Sequence, residues 1–130
     1  LKNSIEIKTD KLTNSIDKIK AIILIQIKVL VKYENFITII LSEIWGTSER
    51  SKMCRNIVFE YIEMIEKIVK EGIEKGEIRE LDSNVVASGI FGFVFSSLIY
   101  KLRNDKEIEV IELYKEMEKT FITKLQKKEK

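Results

Sequence analysis

The sequence predicts an all-α fold, an antiparallel bundle of about five helices, from three observations. There is no proline and there are only five glycines in 130 residues, so few positions can turn the chain and long helices with short connections follow. The helix formers Glu, Lys and Leu are abundant alongside Ile. Residues 83–100 carry no charge in a chain that is 34% charged, so water must be kept from more than one side of that stretch.

Residues 1–10 are polar, with too few apolar positions to pack alone, and Thr9 or Asp10 can cap the element that follows. From Leu12 through Ile16, Ile19, Ile22, Ile23 and Ile27 to Leu30 the spacing is helical. Ile23, Ile25, Ile27, Val29 and Val31 also alternate as a strand would, but no hairpin turn adjoins them and no second strand offers a partner, so helix is the reading. Phe36, Ile37, Ile40, Leu41, Ile44 and Trp45 predict a short amphipathic helix that Gly46 closes in the left-handed conformation, with Glu43 at its rim. Thr47 or Ser48 then caps a longer helix whose apolar stripe runs from Cys54 through Val58, Tyr61, Ile65 and Val69 to Ile73, roughly 160° wide. Gly72 inside that helix costs about 1 kcal/mol relative to Ala, which suggests close packing, and Gly76 is placed to end the helix.

Asp82 caps the uncharged helix. At 100° per residue this helix has a bulky arc (Ile90, Phe91, Val94, Phe95, Leu98, Leu102) and a small one (Val85, Ser88, Gly89, Gly92, Ser96). Two packing faces suit a helix buried inside by its own chain and outside by a second copy, because small residues let helices approach closely. A membrane span is the rival reading; seven of the eighteen residues are Ser, Asn or Gly, which dilutes the apolar content too far. After Arg103-Asn104-Asp105 a final amphipathic helix carries Ile108, Ile111, Tyr114, Met117, Phe121 and Leu125 and can cover its predecessor.

Charge and composition exclude several functions. The 23 basic and 21 acidic residues give a net charge of +2 and are mixed along the chain, unlike the clustered basic face that phosphate binding requires. With no His, a lone Cys54 and no glycine-rich phosphate loop, neither catalysis nor a metal or other cofactor is expected. A single cysteine allows no internal disulfide and suits a reducing, cytoplasmic compartment.

The run Ile68-Val69-Lys70-Glu71-Gly72-Ile73-Glu74-Lys75-Gly76-Glu77-Ile78-Arg79-Glu80-Leu81-Asp82, followed by Val85-Val86-Ala87 and a glycine-containing apolar helix, resembles the C-terminal effector domain of the TetR/AcrR family of bacterial transcriptional repressors. The likeness extends in helix order and length over about residues 12 to 125, and is most specific between 68 and 87. It implies a homodimer built by the last two helices, here with Gly89, Gly92, Ser96, Tyr114 and Phe121 at the interface. It also implies a bacterial repressor that reaches operator DNA only through an N-terminal helix-turn-helix head with no counterpart in these residues. On this reading residues 1–10, which open on Leu1 and not Met, are the remnant of the linker to that head, and 11–130 form the effector-binding and dimerisation domain.

The expected partner is a small hydrophobic effector enclosed by the helices at 12–33, 36–45, 54–74 and the bulky side of 84–102, with the 36–45 helix as a gate. Trp45, Tyr61 and Phe91 are the expected apolar walls and Glu43 and Gln26 the expected polar contacts. The competing reading is a ligand-free helical dimerisation or interaction module, in which Trp45, Tyr61 and Phe91 fill one another's space as core.

Overall fold

The computed structural model describes residues 12, 14–104 and 108–127, and all statements below concern these. The fold is all-α: α1 Ser15–Lys32, α2 Glu34–Glu43, α3 Glu49–Glu74, α4 Ser83–Asn104 and α5 Val110–Thr120, followed by a short 3-10 turn at Ile122–Lys124. Residues 1–10, and with them the linker reading and the caps at Thr9 or Asp10, lie outside the described residues.

α1 is the centre of the bundle, since α2, α3, α4, α5 and the 3-10 turn all pack on it. Its buried residues are Ser15, Ile16, Ile19, Ile22, Ile23, Gln26, Ile27 and Leu30, a helical stripe, while Ile25, Val29 and Val31 are only partly covered. The tertiary structure therefore selects the 3.6-residue period over the alternating one. Each buried isoleucine is worth roughly 1.5–3 kcal/mol relative to exposure, which accounts for the dominance of this stripe in the core. Asn14 caps the helix, its Oδ1 accepting from the Ile16 and Asp17 N–H groups at 2.8 and 3.3 Å.

The N-caps predicted for α3 and α4 are present. Ser48 Oγ accepts from Ser51 N–H at 3.1 Å, and Asp82 Oδ1 accepts from the N–H groups of Asn84 and Val85 at 3.0 and 3.2 Å. α3 ends in a Schellman turn, with Glu77 N–H donating to Gly72 O at 2.8 Å and Gly76 N–H to Ile73 O at 3.1 Å. Gly76 takes the left-handed conformation this turn requires, at φ 76°. Gly46 does not. The turn after α2 needs glycine for space, because a Cβ there would collide with the Ser51 side chain.

α5 corrects a second expectation. It packs chiefly on α1, and Phe121 beyond its end stacks on Phe93 of α4 at 5.3 Å between ring centres. The chain then returns to the α3–α4 connection, where Ile78 and Gln126 form an isolated antiparallel bridge and Arg79 N–H donates to Leu125 O at 2.9 Å. This return buries Ile78, Ile122 and Leu125. The result is a closed pole at which the start of α1, the end of α3 and the end of the chain meet.

Gly72 is the tightest point of that pole. A Cβ on it would lie 2.5 Å from Ile78 Cδ1 and 2.8 Å from Ser15 Cβ, well inside van der Waals distance. Gly72→Ala gains about 1 kcal/mol of helix propensity, yet overpacking costs typically 1–3 kcal/mol, so the variant is expected to be less stable than the parent. A urea midpoint raised by this substitution would show that the contact yields freely.

Candidate functional site

Tyr61, Gln26 and Phe91 converge midway along the bundle, on α3, α1 and α4 respectively. Gln26 is 1% exposed and Tyr61 4% exposed. The Tyr61 hydroxyl donates to Gln26 Oε1 at 2.8 Å, and Gln26 Nε2 reaches the Phe91 carbonyl oxygen at 3.5 Å, the limit of a hydrogen bond. The Tyr61 and Phe91 rings meet edge to face at 5.8 Å, and Phe91 stacks on Phe95 at 5.6 Å. Ile22, Ile23, Ile27, Ile65, Ile90 and Val94 belong to the same core cluster. Burial pushes the Tyr61 hydroxyl far above its ordinary pKa, so it stays neutral.

Three of the five predicted ligand-binding residues are thus together, and two are elsewhere. Trp45 is 90% exposed. α2 stops at Glu43, two residues before it, and Arg55 donates to the carbonyl oxygens of Ile44 and Gly46, fixing the turn with the indole outside the core. Glu43 is committed to that same turn: its Oε2 accepts from Ser51 Oγ at 2.8 Å, and Arg50 Nε lies 3.9 Å from its Oε1. The carboxylate ties α2 to α3 and takes no part in the Gln26–Tyr61 group. Ser51 and Arg55, which make this tie, carried no periodic or motif signal; Ser51 is three residues after the Ser48 cap, the one local hint.

α2 is held unevenly. Its C-terminal end is tied by Glu43, Ser51 and Arg55, whereas its N-terminal joint at Tyr33 has no side-chain cap and Ile37 is its single buried residue. Phe36 and Leu41 stand about half exposed, while Ile39 and Ile40 are partly covered.

Of the predicted interface residues, Gly89, Gly92 and Ser96 share one face of α4, with Phe121 beside Gly89, whereas Tyr114 is turned to a different groove. Val85 and Tyr100 on α4 are 67% and 69% exposed, and Ser88 and Ser96 between them are exposed as well. A Cβ on Gly92 would meet nothing within 4 Å, and one on Gly89 would just touch Phe121. An open groove of about 390 Å³ runs beside this ridge between α4 and α5, lined by Phe93, Ser96, Ser97, Leu113, Met117 and Thr120. Tyr114 faces a second groove, of about 510 Å³, between α1 and α5, where burial and the neighbouring Glu118 carboxylate hold its hydroxyl protonated. α4 has the length and mean hydropathy, 1.7, of a membrane-crossing helix, but its Val86, Ala87, Ile90, Val94 and Leu98 are buried against the rest of this chain. Among the described residues no group of three or more His, Cys, Asp or Glu could hold a metal.

This arrangement, a central helix with a buried polar pair and two closing helices with an exposed small-residue ridge, is built on the fold of the C-terminal domain of TetR-like regulators. The chain belongs to that family: the family described as Tetracyclin repressor-like, C-terminal domain, matches residues 12–99, more than half of the chain. Among solved structures it is similar to a Clostridium perfringens protein that carries the provisional name of a fatty acid metabolism regulator. The TM-score is 0.85 and the identity 31%, over 97% of this chain and 68% of that one. No curated protein matched in sequence. Regulators of this family are soluble and generally act as dimers that bind DNA and small effectors.

Tyr61→Phe removes the hydroxyl and leaves Gln26 Oε1 buried without its donor, which costs about 1–3 kcal/mol. The raised pKa adds a pH signature. Below the ordinary tyrosine value near 10 both folded and unfolded chains keep Tyr61 protonated and its contribution is fully present; above it the unfolded chain ionises first and stability falls. Denaturation series between pH 9 and 11 should show this alkaline loss reduced in Tyr61→Phe; an identical slope in both proteins would assign it to other groups.

Proposed function

We propose that this domain is the effector-sensing and dimerisation part of a TetR-like repressor, and that a small hydrophobic ligand entering between α1, α3 and α4 releases operator DNA in the intact protein. The observation that carries the reading is the Gln26–Tyr61–Phe91 group, a buried polar pair among isoleucines and aromatic rings in a family whose members bind small effectors. Apolar walls with a few convergent polar atoms are the usual make-up of a ligand site. The similar structure's name points to a fatty-acid-related compound as the class to try first.

α2 is the gate in this proposal. A helix tied at one end by Glu43, Ser51 and Arg55 and anchored elsewhere by one buried residue, Ile37, with Ile39 and Ile40 partly covered, opens at low free-energy cost. The ligand acts by binding one arrangement of the bundle better than the other, and its effect on DNA is bounded by that difference. Catalysis has no place in the proposal, and the DNA contacts belong to a head outside this domain. A cytoplasmic, metal-free and cofactor-free regulator is the consistent setting.

A ligand-free interaction module is the second reading. It is favoured by the mutual satisfaction of Tyr61 and Gln26 and by the Tyr61–Phe91–Phe95 ring contacts, in which core side chains fill one another's space. Mass spectrometry of the natively purified protein separates the two: a co-purifying apolar molecule, lost on mutation of Tyr61 or Phe91, supports the sensor. A protein that is empty and shows no thermal shift with any apolar compound supports the module.

Dimerisation is proposed through the Val85, Ser88, Gly89, Gly92 and Ser96 ridge of α4 together with α5, including Tyr114 and Phe121. Gly92→Leu is the sharp test, because the added side chain fits within one chain and meets an obstacle only if a second copy lies against it. Light scattering at micromolar concentration should report a dimer for the parent and a monomer, or a much weakened dimer, for Gly92→Leu, with helix content unchanged. A parent that is monomeric under these conditions would remove the interface.

A further inference from the structure

The two ends of α2 are held by different kinds of contact. At the C-terminal end Glu43 Oε2 accepts from Ser51 Oγ at 2.8 Å, Arg50 Nε lies 3.9 Å from Glu43 Oε1, and Arg55 donates to the carbonyl oxygens of Ile44 and Gly46. The Ile44 carbonyl is one of the acceptors that a helix end leaves unpaired, so the guanidinium both closes α2 and joins it to α3. Ser51 is buried and Glu43, Ile44, Gly46 and Arg55 are partly covered, which strengthens these bonds by keeping water from them.

At the N-terminal end one residue, Tyr33, is both the C-cap of α1 and the N-cap of α2, and no side chain caps the α2 start. The first N–H groups of α2 therefore lack the side-chain acceptor that usually fixes a helix start. Lys32, Tyr33, Glu34, Asn35 and Phe36 are exposed in succession. The ring contacts among them lie at the surface: Tyr33 and Phe36 meet at 5.7 Å between ring centres, and Lys32 Nζ is 5.3 Å from the Tyr33 ring centre. An open groove of about 440 Å³ lies at this joint, with Val31, Tyr33, Asn35, Phe36 and Ile39 in its lining. The buried anchor of this half of the helix is Ile37, in the core cluster that also holds Leu30.

We infer that α2 hinges at its C-terminal turn and opens at its N-terminal end, with Ile37 as the latch, so that the effector enters beside the last turn of α1. This rests on the sensor reading above and adds the moving end and the entry route to it. Opening there withdraws Ile37 and parts rings that already face water. Opening the C-terminal end would instead strip the partners from Glu43, Ser51 and Arg55, polar groups that the protein keeps from full hydration. The N-terminal route is also the shorter one. Gln26 and Leu30 share a face of α1 one turn apart, so a path past the joint meets Leu30 and then Gln26, about 10 Å along the axis from Tyr33. From the tie at Ser51 the distance along α3 to Tyr61 is about 15 Å.

Two measurements on the whole chain test this. Hydrogen exchange of the ligand-free protein reads the moving end: relative to their unstructured rates, the amides of Ile37, Thr38 and Ile39 are expected to exchange about tenfold faster than those of Ile44 and Gly46, or more. Ile37→Ala should speed the first group further and leave the second unchanged, and Arg55→Gln should do the reverse. Stopped-flow uptake of the apolar dye Nile red reads the route. Ile37→Ala should raise the association and dissociation rates together by about tenfold, with Kd moving by less than about twofold, while Arg55→Gln leaves both rates near those of the parent. Phe36→Ala, which removes the ring contact with Tyr33 from a half-exposed site, should act in the same direction more weakly and serves if Ile37→Ala does not melt cooperatively. Faster exchange at Ile44 and Gly46 than at Ile37, Thr38 and Ile39 overturns the hinge. Dye rates that respond to Arg55→Gln and not to Ile37→Ala put the entrance at the other end and overturn the route. If the parent takes up no dye, the route falls with the sensor reading, while the exchange comparison still decides the hinge.

Discussion

The close approach of α1 and α3 at Gly72 is the constraint on which the rest of the bundle depends. Ser15 and Ile78 occupy the volume that a side chain at Gly72 would need, so the first turn of α1 sits directly on the last turn of α3. From that point α1 and α3 run antiparallel, and the buried isoleucines of α1 fall into register against Ile65, Ile68 and Val69. The Glu77 side chain strengthens the joint: its Oε1 accepts from Ser15 N–H at 3.2 Å, satisfying one of the donors that a helix start leaves unpaired. The Schellman turn at Gly76 then delivers Ile78 into the gap. One glycine allows the approach, the other the turn that fills it.

That joint was legible before the fold was known, because both glycines break the helical pattern at a cost that only tertiary structure can offset. The same logic misjudged Gly46, whose place after an amphipathic run suggested a left-handed cap. Its actual constraint is spatial, set by Ser51 and Arg55 from a different helix, and a pairing of residues five and nine positions apart through a turn leaves no periodic trace. Trp45 was misplaced for the same reason. Periodicity extends a stripe as far as the residues allow, whereas the end of α2 is decided by the tie between Glu43 and Ser51. The destination of α5 was hidden in another way: an amphipathic helix reveals that it has an apolar face, and the choice between α1 and α4 as its partner depends on the return of Ile122 and Leu125 to the closed pole.

Tyr61, Gln26 and Phe91, which the structure brings together, were singled out from sequence by a rule that works at the level of single side chains. A tyrosine in the middle of the broadest stripe and a glutamine interrupting an isoleucine run are each anomalous, and two buried polar groups in a small domain are expected to find each other. Their distance, 2.8 Å, follows from that requirement once α1 and α3 are antiparallel from Gly72.

The two ends of the bundle consequently differ in how firmly they are held. At the Gly72 pole three chain segments are knit by backbone hydrogen bonds and buried isoleucines, while at the other pole α2 contributes one buried residue and a polar tie. The Gln26–Tyr61 group lies between them. A disturbance there meets rigid packing on one side and a weakly anchored helix on the other, so displacement is directed toward α2, since packed interiors shift as units and give way where the fewest contacts are lost. α4 spans both ends, with Phe91 and Phe95 beside the buried pair and its small-residue ridge on the outer surface, so a movement of those rings that opens the site also shifts the ridge of the same helix. On the sensor reading proposed above, sensing and assembly share one element, α4, along which the difference between the liganded and unliganded arrangements is carried.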